Sequence, residues 1–289
     1  MIEEKQNPTT VLTNRAIGID LFKILCCFLI TTIHMFEYSG FLYIGEISPA
    51  NAGFVSLIMA INRIGTSGFV FISGYYLSTK GTMHTIKKIV SFLLEINFFS
   101  VSILFVSLIF AFPADSETVL KSVFPILTQH YWYPFNYLIL LMFSPYLNHL
   151  IQTFSKNTYL SFLVLLACVC CIFLKVNPYY ISSVFLGHFS HSFLWWMLLY
   201  LTAGYIRKYN VTGNCYVWLA IFGACAIMGA VYITLLTKAP SLKLFELNDD
   251  NAILTYCGTI ALFLFLRTAK FHWEKQPRAC CVILFPPPL

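Results

Sequence analysis

Charge is what this sequence has least of. Only 10% of its 289 residues are Asp, Glu, Lys or Arg, where a soluble globular domain carries about 25%. That excludes a soluble enzyme with a solvated surface. The net charge of +6 falls mostly in short stretches between apolar runs, so no nucleic-acid partner is expected. Paired CxxC units are missing, and the ten cysteines do not read as a zinc site; no metal is expected. Cys26, Cys27, Cys168, Cys170, Cys171, Cys225 and Cys257 lie in apolar runs and read as small buried side chains. A cleavable signal peptide is not evident, because the apolar run that starts near residue 16 is too long for one. Internal repeats and low-complexity tracts are also lacking.

What the chain has is apolar length: 58% of its residues are hydrophobic. About 20 apolar residues cross a bilayer as a helix. Eight candidate spans are readable, at about 17–38, 54–78, 89–112, 131–150, 159–173, 192–206, 216–236 and 252–266. The fold class expected is all-α, a polytopic transmembrane helix bundle. Residues 1–15 are polar and read as a leader. Residues 177–191 read as a polar, aromatic loop dipping back toward the bundle. Pro134 and Pro145 predict kinks in the fourth span. With the amino terminus in the cytoplasm, twelve Lys and Arg fall on the cytoplasmic side and four outside, with Lys23 and Arg63 in the membrane. Every loop then obeys the positive-inside rule.

The first span carries Asp20, Lys23, His34 and Glu37. Ionisable groups inside a span are costly, by about 2.5–3.5 kcal/mol each at the centre on insertion scales, and so are usually functional. On a helical wheel Lys23 and His34 lie about 20° apart, and about 16 Å apart along the axis. All four residues share one stripe. A neutral imidazole can take a proton from a hydroxyl, and Glu37, three residues on, is spaced to orient it. The plainer alternative is a helix–helix hydrogen bond that orients the bundle. Asp20 is expected to pair with Lys23. Arg63, in the second span, suits phosphate or carboxylate recognition, or a buried salt bridge to Glu37 or Asp20. Ser73 and Gly74 read as packing residues. His130, Tyr131, Trp132 and Tyr133 read as an interfacial aromatic belt, with sugar stacking the lesser alternative. The basic stretch 80–88 reads as a topology determinant that could also meet an anionic cytoplasmic donor.

The stretch IGIDLFKILCCFLITTIHMF, with a basic residue, ten intervening residues and a histidine, resembles the first helix of the membrane acyltransferase-3 family. FISGYYL, WYPFNYLILLMFSPYLN and LWWMLLYLTAGYIRKY resemble further family blocks, in order. The resemblance covers about residues 14–270. It implies about ten spans, a cytoplasmic acyl-CoA donor (acetyl-CoA expected) with no permanently bound cofactor, and a carbohydrate hydroxyl as acceptor at the outer face. It also implies His34 as the catalytic histidine and Lys23 as its basic partner. The expected roles are thus His34 with Glu37 for catalysis, and Lys23 with Arg63 for donor phosphates or the oxyanion. The expected organisation is a cytoplasmic leader at 1–15, a transmembrane acyltransferase-like domain at 16–270 and an atypical tail at 271–289. The tail reads as if from a shifted frame, with the last two family helices absent. A bacterial cytoplasmic membrane is the expected location. The rival class is a transporter or flippase of a lipid-linked or anionic solute, with a non-catalytic membrane sensor third.

Overall fold

The computed structural model describes residues 8–38, 49–110, 115–128, 130–173, 193–238 and 252–269. Among these, all regular structure is helical. In chain order the helices are α1 (Pro8–Tyr38), α2 (Pro49–Asn62), α3 (Ile64–Leu77), α4 (Thr82–Ile109), α5 (Ser116–Val123) and α6 (Trp132–Thr153). Then come α7 (Lys156–Cys168), prolonged by a π-helical turn at Val169–Phe173, α8 (Phe193–Lys208), α9 (Cys215–Lys238) and α10 (Ile253–Thr268). Four stretches are long and apolar enough to cross a membrane: Ile17–Phe36, Asn51–Leu77, His84–Ile109 and Cys215–Leu235. Lys156–Ile172 and Ile253–Thr268 are shorter apolar helices. The chain is a multi-pass membrane helix bundle.

Each expected span coincides with helix, and the differences lie at the ends. α1 begins at Pro8, so half of the expected leader is helical; proline is favoured at the first helical position, where its missing N–H is not needed. α4 begins at Thr82, which puts Lys87 and Lys88 on a helix. The second span is two helices separated at Arg63 alone. α5 lies between the expected third and fourth spans; Asp115 Oδ1 caps it by accepting the Thr118 N–H at 2.8 Å. Residues 177–191 and 271–289 lie outside the described residues. α6 runs unbroken through Pro145. Proline leaves the carbonyl four residues back without its helical donor, and here the buried Ser144 hydroxyl donates to that carbonyl, Leu141 O, at 2.8 Å.

α8 is the centre. It packs against α3, α6 and α7, and Trp195, Leu198, Leu199, Tyr200 and Leu201 on it are buried. In lipid, close backbone approach and polar contacts drive helix association, since the solvent is itself apolar. Both devices occur. A Cβ on Gly74 would meet the Tyr200 backbone at 2.6 Å, so α3 and α8 touch almost backbone to backbone. Asn148 Nδ2 donates to Leu77 O at 2.8 Å and Lys80 O at 3.1 Å, closing the end of α3, and its Oδ1 accepts from Tyr200 Oη at 2.8 Å. Lys208 Nζ donates to Ile151 O (2.7 Å) and Phe154 O (2.9 Å) at the end of α6. The outward faces of α4 and α9 expose Leu94, Phe98, Ile103, Phe105, Ile227 and Val231, as a lipid solvent allows. Cys26, Cys170, Cys171 and Cys225 are buried as expected; Cys27 and Cys168 face outward and Cys257 is half-buried.

Candidate active site

α1 runs beside α3 in the opposite direction. Gly65 of α3 sits on Ile30 and Gly68 on Phe22, with Cys26 between. This antiparallel seam gives α1 two polar neighbourhoods, one near each end.

The first surrounds Lys23. Its Nζ donates to Asp20 Oδ1 at 3.0 Å and lies 5.3 Å from the Tyr76 ring. Tyr75 and Tyr76 meet further cations: Arg207 lies 4.7 Å from the Tyr75 ring and 5.9 Å from the Tyr76 ring, and Arg267 lies 5.4 Å from the Tyr75 ring. The guanidinium of Arg267 is held by Val211 O at 2.9 Å and Asn210 Oδ1 at 2.6 Å. Asn210 adopts a left-handed φ of 47°, which asparagine tolerates better than most residues. Three cations thus gather around two phenol rings, and Asp20 pairs with one of them, Lys23.

The second neighbourhood is an open cavity of about 490 Å³ lined by four helices. α1 contributes His34, α3 contributes Thr66 and Ser73, α4 contributes Lys88 and Glu95, and α6 contributes Trp132, Tyr133 and Tyr137. Thr66 and Ser73 are seven residues apart, so the lining extends about 10 Å along the bundle. Ser73 Oγ and Tyr137 Oη lie 2.8 Å apart, and Phe92 meets the Tyr137 ring edge-on at 5.0 Å. The Tyr133 hydroxyl is buried with no hydrogen-bond partner among the described residues. Such atoms are rare and mark a place a ligand or water would satisfy. Ser91 Oγ donates to Glu95 Oε1 at 2.9 Å.

His34 is therefore in the cavity, while Lys23 belongs to the other cluster, paired with Asp20 as expected. Arg63 is half-buried at the α2–α3 junction, one turn before Thr66. It does not line the cavity. Glu37 is in the last turn of α1, and its side chain lies outside what is described. Gly74 packs as expected, but Ser73 does more than pack, because its hydroxyl faces Tyr137 within the cavity. Trp132 and Tyr133, read as a belt, also form one wall. Glu95 was missed altogether. The signal was present: it is the one acidic residue between Glu46 and Asp115, in the middle of a strongly apolar run.

A multi-pass helical membrane protein with a histidine-bearing cavity is the class these features define. Within that class, the chain belongs to the acyltransferase-3 family: the family's acyltransferase domain matches residues 16–285. The match extends past residue 270. No curated protein and no solved structure matches the chain. Family membership makes the protein a membrane acyltransferase.

Proposed function

We propose that the protein moves an acyl group, acetyl in the first instance, from acyl-CoA to a hydroxyl of a cell-surface carbohydrate, in the cytoplasmic membrane of a bacterium. The observation that carries this is His34 lining a cavity between four helices, beside Ser73, Glu95 and Tyr137. In the reaction the acceptor oxygen bonds to the thioester carbonyl carbon and the carbon–sulfur bond breaks. His34 takes the hydroxyl proton and passes it to the departing thiolate. Glu37, three residues on in the chain, is the proposed support for the imidazole. Arg63, a turn before cavity-lining Thr66, is the proposed cation for the developing oxyanion. Donor phosphates meet Lys23 and Arg207, and Lys23 lies about 16 Å below His34 along α1. A long thioester arm would bridge that gap. Membership of an acyltransferase family favours this over the transporter alternative.

The test is transfer of label from radiolabelled acetyl-CoA to isolated cell envelopes. General-base contributions are about 10²–10⁴-fold, so His34→Ala should lose at least that much turnover while eluting as a folded, monodisperse protein. Near-normal turnover of His34→Ala would make the stripe on α1 structural and the assignment wrong.

A further inference from the structure

Glu95 stands in the run His84–Ile109, which is otherwise apolar enough to cross the membrane. A carboxylate there is expensive and calls for a reason. α4 has two ionisable groups facing the cavity, Lys88 and Glu95. Seven residues apart, they lie within about 20° of each other on the helix, two turns from one end to the other. α4 therefore repeats the pattern of α1, a cation and then a proton-handling group on a single stripe.

Depth distinguishes the two. Glu95 is thirteen residues beyond Thr82, about 20 Å from the α3–α4 turn. His34 is about 16 Å above Lys23, and Lys23 sits against Tyr76, beside the last turn of α3. Glu95 and His34 thus share one level and one cavity, whereas Lys88 lies about two turns lower. Ser91 Oγ fixes one carboxylate oxygen, Oε1. That is how a positioning carboxylate is held.

We infer that Glu95 is a second carboxylate, besides Glu37, that positions His34 and balances its charge during acyl transfer. The inference rests on His34 being the base. When His34 takes the acceptor proton, an imidazolium forms in the cavity, and an anion at the same depth stabilises it. When the proton passes to the thiolate, the charge disappears and Glu95 is unchanged. No redox step or further reactant is involved.

The experiment compares Glu95→Gln and His34→Ala with the unaltered full chain in membranes, using radiolabelled acetyl-CoA and isolated cell envelopes. Glu95→Gln should lower kcat by at least about 10²-fold, the lower end of general acid–base contributions, and leave the donor KM within about twofold. Glu95→Asp should recover at least tenfold over Glu95→Gln. A second pair, Glu95→Asp against Glu95→Asn, repeats the charge comparison at another length should Glu95→Gln not elute as folded protein. Equal kcat for the acid and the amide at position 95, with His34→Ala inactive, overturns the role of Glu95 and leaves His34 as base. Full turnover of His34→Ala, or no transfer by the unaltered chain, overturns both.

Discussion

Lys23 divides its charge between the Asp20 carboxylate, 3.0 Å away, and the face of Tyr76. Neither partner holds it as fully as a dedicated buried ion pair would, so it stays available to an anion. Lys23→Ala should raise the donor KM about tenfold, the ~1.4 kcal/mol of one charge-assisted contact, and affect the acceptor KM little. Lys23→Arg should restore the donor KM, since charge and ring contact both persist; equal KM values in all three proteins would remove Lys23 from the donor site. The pairing of Asp20 with Lys23 was legible because it is set by spacing within one helix. The neighbours of His34 were not. A helical wheel says which way a side chain faces, but the cavity is made by residues between positions 30 and 137, and only the bundle brings Ser73, Glu95 and Tyr133 to it.

Gly74 sets how closely α3 can approach α8. The obstruction to a side chain there is the Tyr200 backbone, which cannot swing aside as a flexible side chain could. Overpacking of this kind costs about 1–3 kcal/mol, so Gly74→Ala should lower thermal stability in detergent and lose activity with it. Unchanged melting would mean that the two helices have slack. Helix identity was legible from apolar length alone, and helix ends were not, for physical reasons visible in α1 and α4. Pro8 starts a helix as readily as it ends one, and Lys87 and Lys88 are compatible with either loop or helix. The kinks expected in α6 rested on Pro134 and Pro145, and nothing in the sequence flagged the Ser144 hydroxyl that serves the carbonyl freed by Pro145.

For the molecule as a whole, the asymmetry of twelve cations against four predicts that Lys80 faces the cytoplasm and Lys121 the outside. Cysteine probes at these positions, treated with a membrane-impermeant maleimide and corrected for the native cysteines, should label from opposite sides. Labelling of both from one side would overturn the topology. Arg207 and Lys208 count equally in that tally, yet they face different duties. The ammonium of Lys208 is tied into the carbonyl end of α6, whereas Arg207 lies over the two phenol rings. A mutational scan would therefore separate neighbours: loss at 208 surfaces as low yield and early melting, and loss at 207 as a well-behaved protein that saturates poorly with donor. Two adjacent letters of one sign thus belong to different phenotypic classes, and pooling them as a basic patch would blur a folding defect into a binding one.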